Sequence, residues 1–234
     1  VPMSIAVKKY IRLASVISSL KMAPKDVKVF QYGEYEDLEH ERLFSDKNYF
    51  ANSYTYRKGL IRKQYLANAI AYYVAKHPES LMKTAYPETF QLECAYAEFL
   101  DDSLDEAFEL RCILEQNTSE TYILKPSMSD RGDGIRLFKS IDQLQAIFDS
   151  FEEDEESEDE GKDGDACSSK HGIILSQMRN FIVQKYMSNP LLLKEYGNRK
   201  FHIRTYVLCV GNLTVYVYQR MLMLFSETPY EQPS

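Results

Sequence analysis

At 234 residues, 44% of them hydrophobic and 13% aromatic, the chain is long enough to bury one large core or two ordinary ones. It has no apolar run that would span a membrane, and its net charge of −7 lacks the positive excess of a direct nucleic-acid binder, so neither partner is expected. Cys94, Cys112, Cys167 and Cys209 form no C-x-x-C pair and the four histidines are scattered, which excludes a sequence-evident zinc site or disulfide framework and fits a reducing, cytoplasmic setting. The start, Val1-Pro2-Met3, shows neither an initiator methionine nor a signal peptide and reads as part of something longer.

Val7 to Leu20 carries apolar residues at helical spacing (Val7, Tyr10, Ile11, Ala14, Ile17). Val27, Val29 and Tyr32 then alternate as a short strand before the acidic stretch Glu34 to Glu41, so residues 1–53 read as a small α/β unit. Tyr54 to Lys76 predicts one amphipathic helix stopped by His77-Pro78. Leu60, Ile61, Tyr65, Ala69 and Tyr72 mark its apolar face, with Arg57, Lys58, Arg62 and Lys63 alongside. That basic cluster is either a solvated face or a seat for an acidic partner segment. Tyr86-Pro87-Glu88-Thr89-Phe90 leads into a strand, and Cys94 to Leu114 reads as a second helix.

Thr121 to Phe138, T-Y-I-L-K-P-S-M-S-D-R-G-D-G-I-R-L-F, predicts a hairpin with a cationic foot and a glycine-rich tip. Lys125 ends the first strand; Ser129, Asp130, Arg131, Gly132 and Gly134 form the tip; Ile135, Leu137 and Phe138 return. Backbone N–H groups at such a tip approach phosphate oxygens closely, and the lysine supplies a point charge. It is neither a P-loop, since no G-K-[S/T] follows, nor a dinucleotide fingerprint, since no helix opens directly after it. On its own such a stretch is more often an ordinary hairpin turning on glycine.

Ile141 to Phe151 predicts a brief helix running into an acidic run. Glu152 to Asp165 holds ten acidic residues and one lysine, a local charge of −9, and removing that from the total of −7 leaves the rest at +2. With almost no apolar residues, 152–165 reads as a disordered, solvated loop, or as a regulatory or partner-binding segment. Phe181 to Gln184 follows as a strand broken at Asn189-Pro190. Two long strands, Phe201 to Val210 and Leu213 to Arg220, join at Gly211-Asn212.

Taken together, Y-I-L-K-P-S, the glycine loop, Q-K-Y-M (Gln184 to Met187), N-P-L-L-L and R-K-F-H-I-R-T-Y-V-L resemble, in the same order, the motifs of the tubulin-tyrosine-ligase-like family of the ATP-grasp superfamily. The R-K-G-L-I-R-K helix and Y-P-E-T extend the likeness over most of the chain. The resemblance implies an α+β (α/β) ATP-grasp fold, incomplete at the C-terminus, with a central domain over 54–188 and the start of a C-terminal domain over 189–234. It implies an ATP-dependent carboxylate–amine ligase, in which ATP phosphorylates a carboxylate and an amine attacks the acylphosphate. Gln184, Lys185, Tyr186 and Met187 would border the adenine; Lys125 and Lys200 would reach the phosphates; Arg204 and Arg220 would face substrate or phosphate.

Two positions depart from the family pattern, and one expected motif falls outside the sequence. His202 stands where the family carries an aspartate of the K-F-D-L/I-R motif, in contact with the nucleotide. Leu224 stands, counting without gaps, at a substrate arginine of Y-R-E-G-x-x-R. The Mg2+-binding Asp and Glu-x-Asn are expected beyond Ser234. The implied partner is an acidic protein segment such as the α-tubulin tail. The alternative is a ligase-derived ATP-binding interaction module attached to mRNA-decapping proteins, as in a fungal branch of the family found in cytoplasmic P-bodies.

Overall fold

A computed structural model describes residues 28–116, 119–129, 132–159 and 179–233. Asp130 and Arg131 at the hairpin tip, the helix expected over 7–20 and the acidic stretch 160–165 lie outside these residues. Contacts divide the chain into two compact units, Val1–Ser80 and Leu81–Ser234.

In the first unit, β1 (Val29–Gln31) pairs in parallel with β2 (Tyr49–Ala51). Asn52 closes the pair, its amide nitrogen donating to the Gly33 carbonyl at 3.1 Å while its oxygen accepts from the Gly33 N–H at 3.3 Å. The expected basic helix forms as two pieces, Lys58–Ile61 and Lys63–Lys76, because Arg62 is extended (φ −95°, ψ 124°). It ends where His77-Pro78 predicts, His77 giving its N–H to the carbonyls of Tyr73 and Val74. The expected apolar face is not buried. Leu60 is 75% and Tyr72 73% exposed, and within Lys63–Lys76 only Ala67 is fully covered. Helical spacing shows that a face exists, but not whether anything lies against it.

The second unit is organised on four antiparallel strands, β3 (Thr89–Glu93), β4 (Tyr122–Pro126), β5 (Arg136–Phe138) and β6 (Asn180–Lys185), in the order β3-β6-β4-β5. Alternation sorts their side chains. Tyr122, Leu124, Phe138, Phe181, Val183 and Leu92 point into the core, while Thr89, Gln91, Ile123, Lys125, Ile182 and Gln184 share the opposite face through the pairs Thr89↔Gln184, Ile123↔Gln184 and Lys125↔Ile182. Pro126 pairs with Phe181 on the β6 side but lies beyond the end of the β4–β5 ladder, so its missing N–H breaks no bond there.

Helices cover the core face. The expected helix 94–114 divides into a short 3-10 turn (Ala97–Phe99), Leu100–Glu106 and Phe108–Gln116, turning at Ala107 (φ −90°, ψ 50°) so that Leu100, Leu104, Leu110 and Leu114 all reach the core. The helix after β5 starts on a cap in which Ser140 Oγ accepts from Gln143 N–H at 3.2 Å and Gln143 Oε1 accepts from Lys139 N–H at 2.8 Å. Leu144, Phe148 and Phe151 lie on its inner face, and the Phe148 and Phe151 rings meet Phe181 at 5.1 and 6.4 Å.

This helix runs to Asp159, so the loop expected over 152–165 is helical in its first eight residues. Glutamate is a good helix former, and extending a helix already nucleated on a packed face costs little. Glu152 is also held in place, its Oε1 accepting from Ala97 N–H at 2.6 Å.

The first of the expected long strands is interrupted and the second is shorter than expected. β7 (Phe201–Arg204) pairs with β10 (Leu222–Phe225), whereas β8 (Val207–Val210) pairs with β9 (Thr214–Val217). The ladder changes partner between Arg204 and Val207, where Tyr218 N–H donates to the Tyr206 carbonyl at 2.9 Å.

Candidate functional site

β4 delivers Lys125 to the face of the sheet away from the helices. Its Nζ donates to Gln184 Oε1 at 2.7 Å, and Gln184 Nε2 donates to Thr89 Oγ1 at 2.7 Å, so a polar row crosses β4, β6 and β3. Gln184 is only 5% exposed, and its bonds offset the cost of burying an amide. Ile123, Ile182 and Leu137 supply the apolar part of the same face.

The hairpin tip beyond Lys125 has the backbone its glycines require. Gly132 (φ 88°) and Gly134 (φ 70°) both occupy the left-handed half of conformational space. Gly132 accepts the Ile135 N–H at 3.2 Å, and Ser129 Oγ donates to the Pro126 carbonyl at 3.5 Å.

Where β6 ends, its residues part. Lys185 points away from the Gln184 face and pairs with Glu120 at 2.7 Å; that hydrogen-bonded carboxylate raises its pKa. Its side chain is therefore committed elsewhere, leaving its backbone at the hinge. Tyr186 N–H donates to the Thr121 carbonyl at 2.8 Å, and Met187 is exposed.

Lys200 reaches this exit from the C-terminal ribbon. Its ammonium bonds the Tyr186 hydroxyl and lies 4.4 Å from the Tyr186 ring centre and 4.5 Å from that of Tyr230. Tyr230 is tied down by a bond from its hydroxyl to the Ser188 carbonyl at 2.8 Å and by its N–H to the Asn198 carbonyl at 2.9 Å. Loss of hydration, with Tyr186 second, raises the Tyr230 pKa. Two cations, one on β4 and one just ahead of β7, thus contact residues 184 and 186 of one segment. Tyr230 and Thr89 belong to this assembly without having been singled out as site residues: nothing local marks Tyr230, while Thr89 lies in Y-P-E-T.

His202 and Arg204 are exposed on one face of β7, and Arg220 is exposed in the bend before β10, so Arg204 and Arg220 are not gathered with the lysines by any bond described here. The register places Leu224 directly opposite His202. The two positions expected to depart from the family pattern are therefore cross-strand neighbours. Among the described residues no three His, Cys, Asp or Glu side chains converge on a point that would hold a metal ion. No described helix is long and apolar enough to cross a membrane.

The fold is that of an ATP-grasp protein and is ligase-like. Residues 39–234 match the family model described as the tubulin-tyrosine ligase family, and the chain belongs to that family. It is 50% identical over 243 residues to the probable tubulin–tyrosine ligase PBY1 of Saccharomyces cerevisiae, covering 98% of this chain and 32% of that protein. It is 47% identical over 238 residues to the probable tubulin–tyrosine ligase C12B10.04 of Schizosaccharomyces pombe, covering 94% and 58%. The crystal structure of the C-terminal domain of K. lactis Pby1, described as an ATP-grasp enzyme interacting with the mRNA decapping enzyme Dcp2, aligns with a TM-score of 0.61 at 48% identity, over 91% of this chain and 52% of that one. The chain spans between a third and three fifths of the length of these two curated relatives.

Proposed function

We propose that this chain forms the nucleotide-binding part of an ATP-dependent carboxylate–amine ligase of the tubulin-tyrosine-ligase type, adding an amino acid to a protein C-terminal tail such as that of α-tubulin. The observation that carries the reading is that Lys125, on β4, and Lys200, just ahead of β7, contact Gln184 and Tyr186 of one segment. Two ammonium groups beside a half-apolar sheet face fit a ligand with a flat ring and a polyphosphate.

ATP would supply the phosphoryl group that activates a carboxylate for attack by an amine. The chain's own part is to bind and orient: Lys125 and Lys200 draw charge off the phosphates, and the hinge 184–187 borders the ring with backbone groups. Gly132 and Gly134 let the tip backbone come close, with Ser129 beside it. Arg204 and Arg220 would face substrate or phosphate. Among the described residues no three His, Cys, Asp or Glu side chains come together, and the Mg2+ ligands are assigned to residues beyond Ser234.

Titration of the parent and of a Lys125→Ala, Lys200→Ala double variant with ATP tests the site. A loss of about a hundredfold is expected for removing two charge-assisted contacts, and equal affinities would overturn the assignment.

One observation favours a second reading, a ligase-derived interaction module that binds ATP and serves an mRNA-decapping assembly in cytoplasmic P-bodies. It is the pairing of His202 with Leu224, two facing positions at which the family resemblance leads us to expect a carboxylate and an arginine. The decapping partner of the K. lactis protein supports the same reading. Mass spectrometry of tubulin tails incubated with the protein, ATP, magnesium and tyrosine separates the two, since a modified tail requires the ligase.

A further inference from the structure

A buried primary amide must have each end matched to a partner of the right sign. At one end of Gln184 stands Lys125, whose ammonium only donates, so the amide oxygen faces it at 2.7 Å. At the other stands the Thr89 hydroxyl, 2.7 Å from Nε2, which is able to donate or accept. The choice is settled one bond further on. Thr89 Oγ1 lies 2.8 Å from the Pro87 carbonyl, which only accepts. The single hydroxyl proton goes to Pro87, leaving a lone pair on Oγ1 for the Gln184 N–H. Three bonds therefore run in one direction, from Lys125 to Gln184 to Thr89 to Pro87, each supporting the next.

The backbone makes this row stiff. Thr89 stands directly opposite Gln184 in the β3–β6 ladder, its branched Cβ limits χ1, and the Pro87 ring fixes φ at the terminal acceptor. We propose that Thr89 is a positioning residue for the nucleotide site: it holds the Gln184 amide with its oxygen toward Lys125 and thereby fixes where the ammonium is presented. The proposal rests on the nucleotide reading of Lys125 given above.

Thr89→Val keeps the branched shape and removes the acceptor, whereas Thr89→Ser keeps the hydroxyl. By calorimetric titration with ATP, the Val variant is expected to bind about tenfold more weakly and the Ser variant within about twofold of the parent, the difference one such hydrogen bond makes. With 15N-labelled glutamine side chains, the Gln184 NH2 resonances shift and exchange faster with water in the Val variant but not in the Ser variant. Parent-like ATP affinity in Thr89→Val, alongside weakened binding in Lys125→Ala, overturns the proposal. If Lys125→Ala itself binds ATP like the parent, the nucleotide reading fails and the amide spectrum decides alone: unchanged Gln184 resonances in Thr89→Val then overturn the holding role as well. Thr89→Ala supplies the same comparison should the Val variant fail to fold.

Discussion

The four-stranded sheet and the C-terminal ribbons use similar apolar alternation and reach opposite ends. In the sheet, Leu124, Phe181 and Val183 are fully buried beneath helices. In the β8–β9 ribbon, Val207, Leu208, Val215, Tyr216 and Val217 are no less apolar, yet each is more than half exposed. Two paired strands have two faces and no third layer, so among the described residues nothing covers them. The two cations of the site therefore rest on different supports. Lys125 stands on a packed sheet and is aimed by a hydrogen-bonded row; Lys200 stands at the foot of a ribbon and is held by two aromatic rings.

The contrast breaks first, if it breaks, at Phe181. Phe181→Ala empties the centre of the aromatic cluster and is expected to cost about 3–5 kcal/mol in urea denaturation. Next is Glu152→Ala, which strips Ala97 N–H of a charged acceptor and should cost about 1.5 kcal/mol by the same measurement. Gly132→Ala follows at about 1 kcal/mol. Nothing lies within 4 Å of the added methyl, so that loss would be conformational alone.

A pH series sharpens the picture of the core. Burial pushes the Cys94 thiol above its ordinary value of 9.0, so the folded protein keeps the thiol neutral where the unfolded chain ionises. Its contribution is complete below that value and declines as pH rises past it. The stability gap between the parent and Cys94→Ala should narrow between neutral pH and the alkaline side of 9.0, and a constant gap would refute it. The smallest effect is expected in the ribbon, where Tyr216→Ala should fall within about 0.5 kcal/mol of the parent; a loss matching that of Phe181→Ala would end the comparison.

Much of the sheet was legible in the sequence because its strands are short apolar runs between strong breaks. Tyr122–Leu124 with Lys125 at its end, the return at Phe138 and Phe181–Gln184 all fall inside observed strands. The helix ends were less legible. Arg62 and Ala107 are unremarkable residues, and what bends the chain there is set by packing rather than propensity. At the site, the charged residues could be placed on faces by alternation, but their contacts could not. The Lys200–Tyr230 contact joins residues thirty apart through a turn that no spacing rule encodes, and the Leu224–His202 pairing depends on β7 leaving β8 for β10.

The helix that leaves β5 carries one more consequence, for how the chain tolerates change. Its inner face is locked by Leu144, Phe148 and Phe151, and Glu152 pins the next turn to Ala97. Inserting or deleting one residue between Ser140 and Glu152 turns everything beyond it by about 100° around the helix axis, which would carry Phe148 or Phe151 off the core and Glu152 away from Ala97. For an engineer this stretch is closed to any change of length, whereas exchanges on its outer face leave the anchor intact.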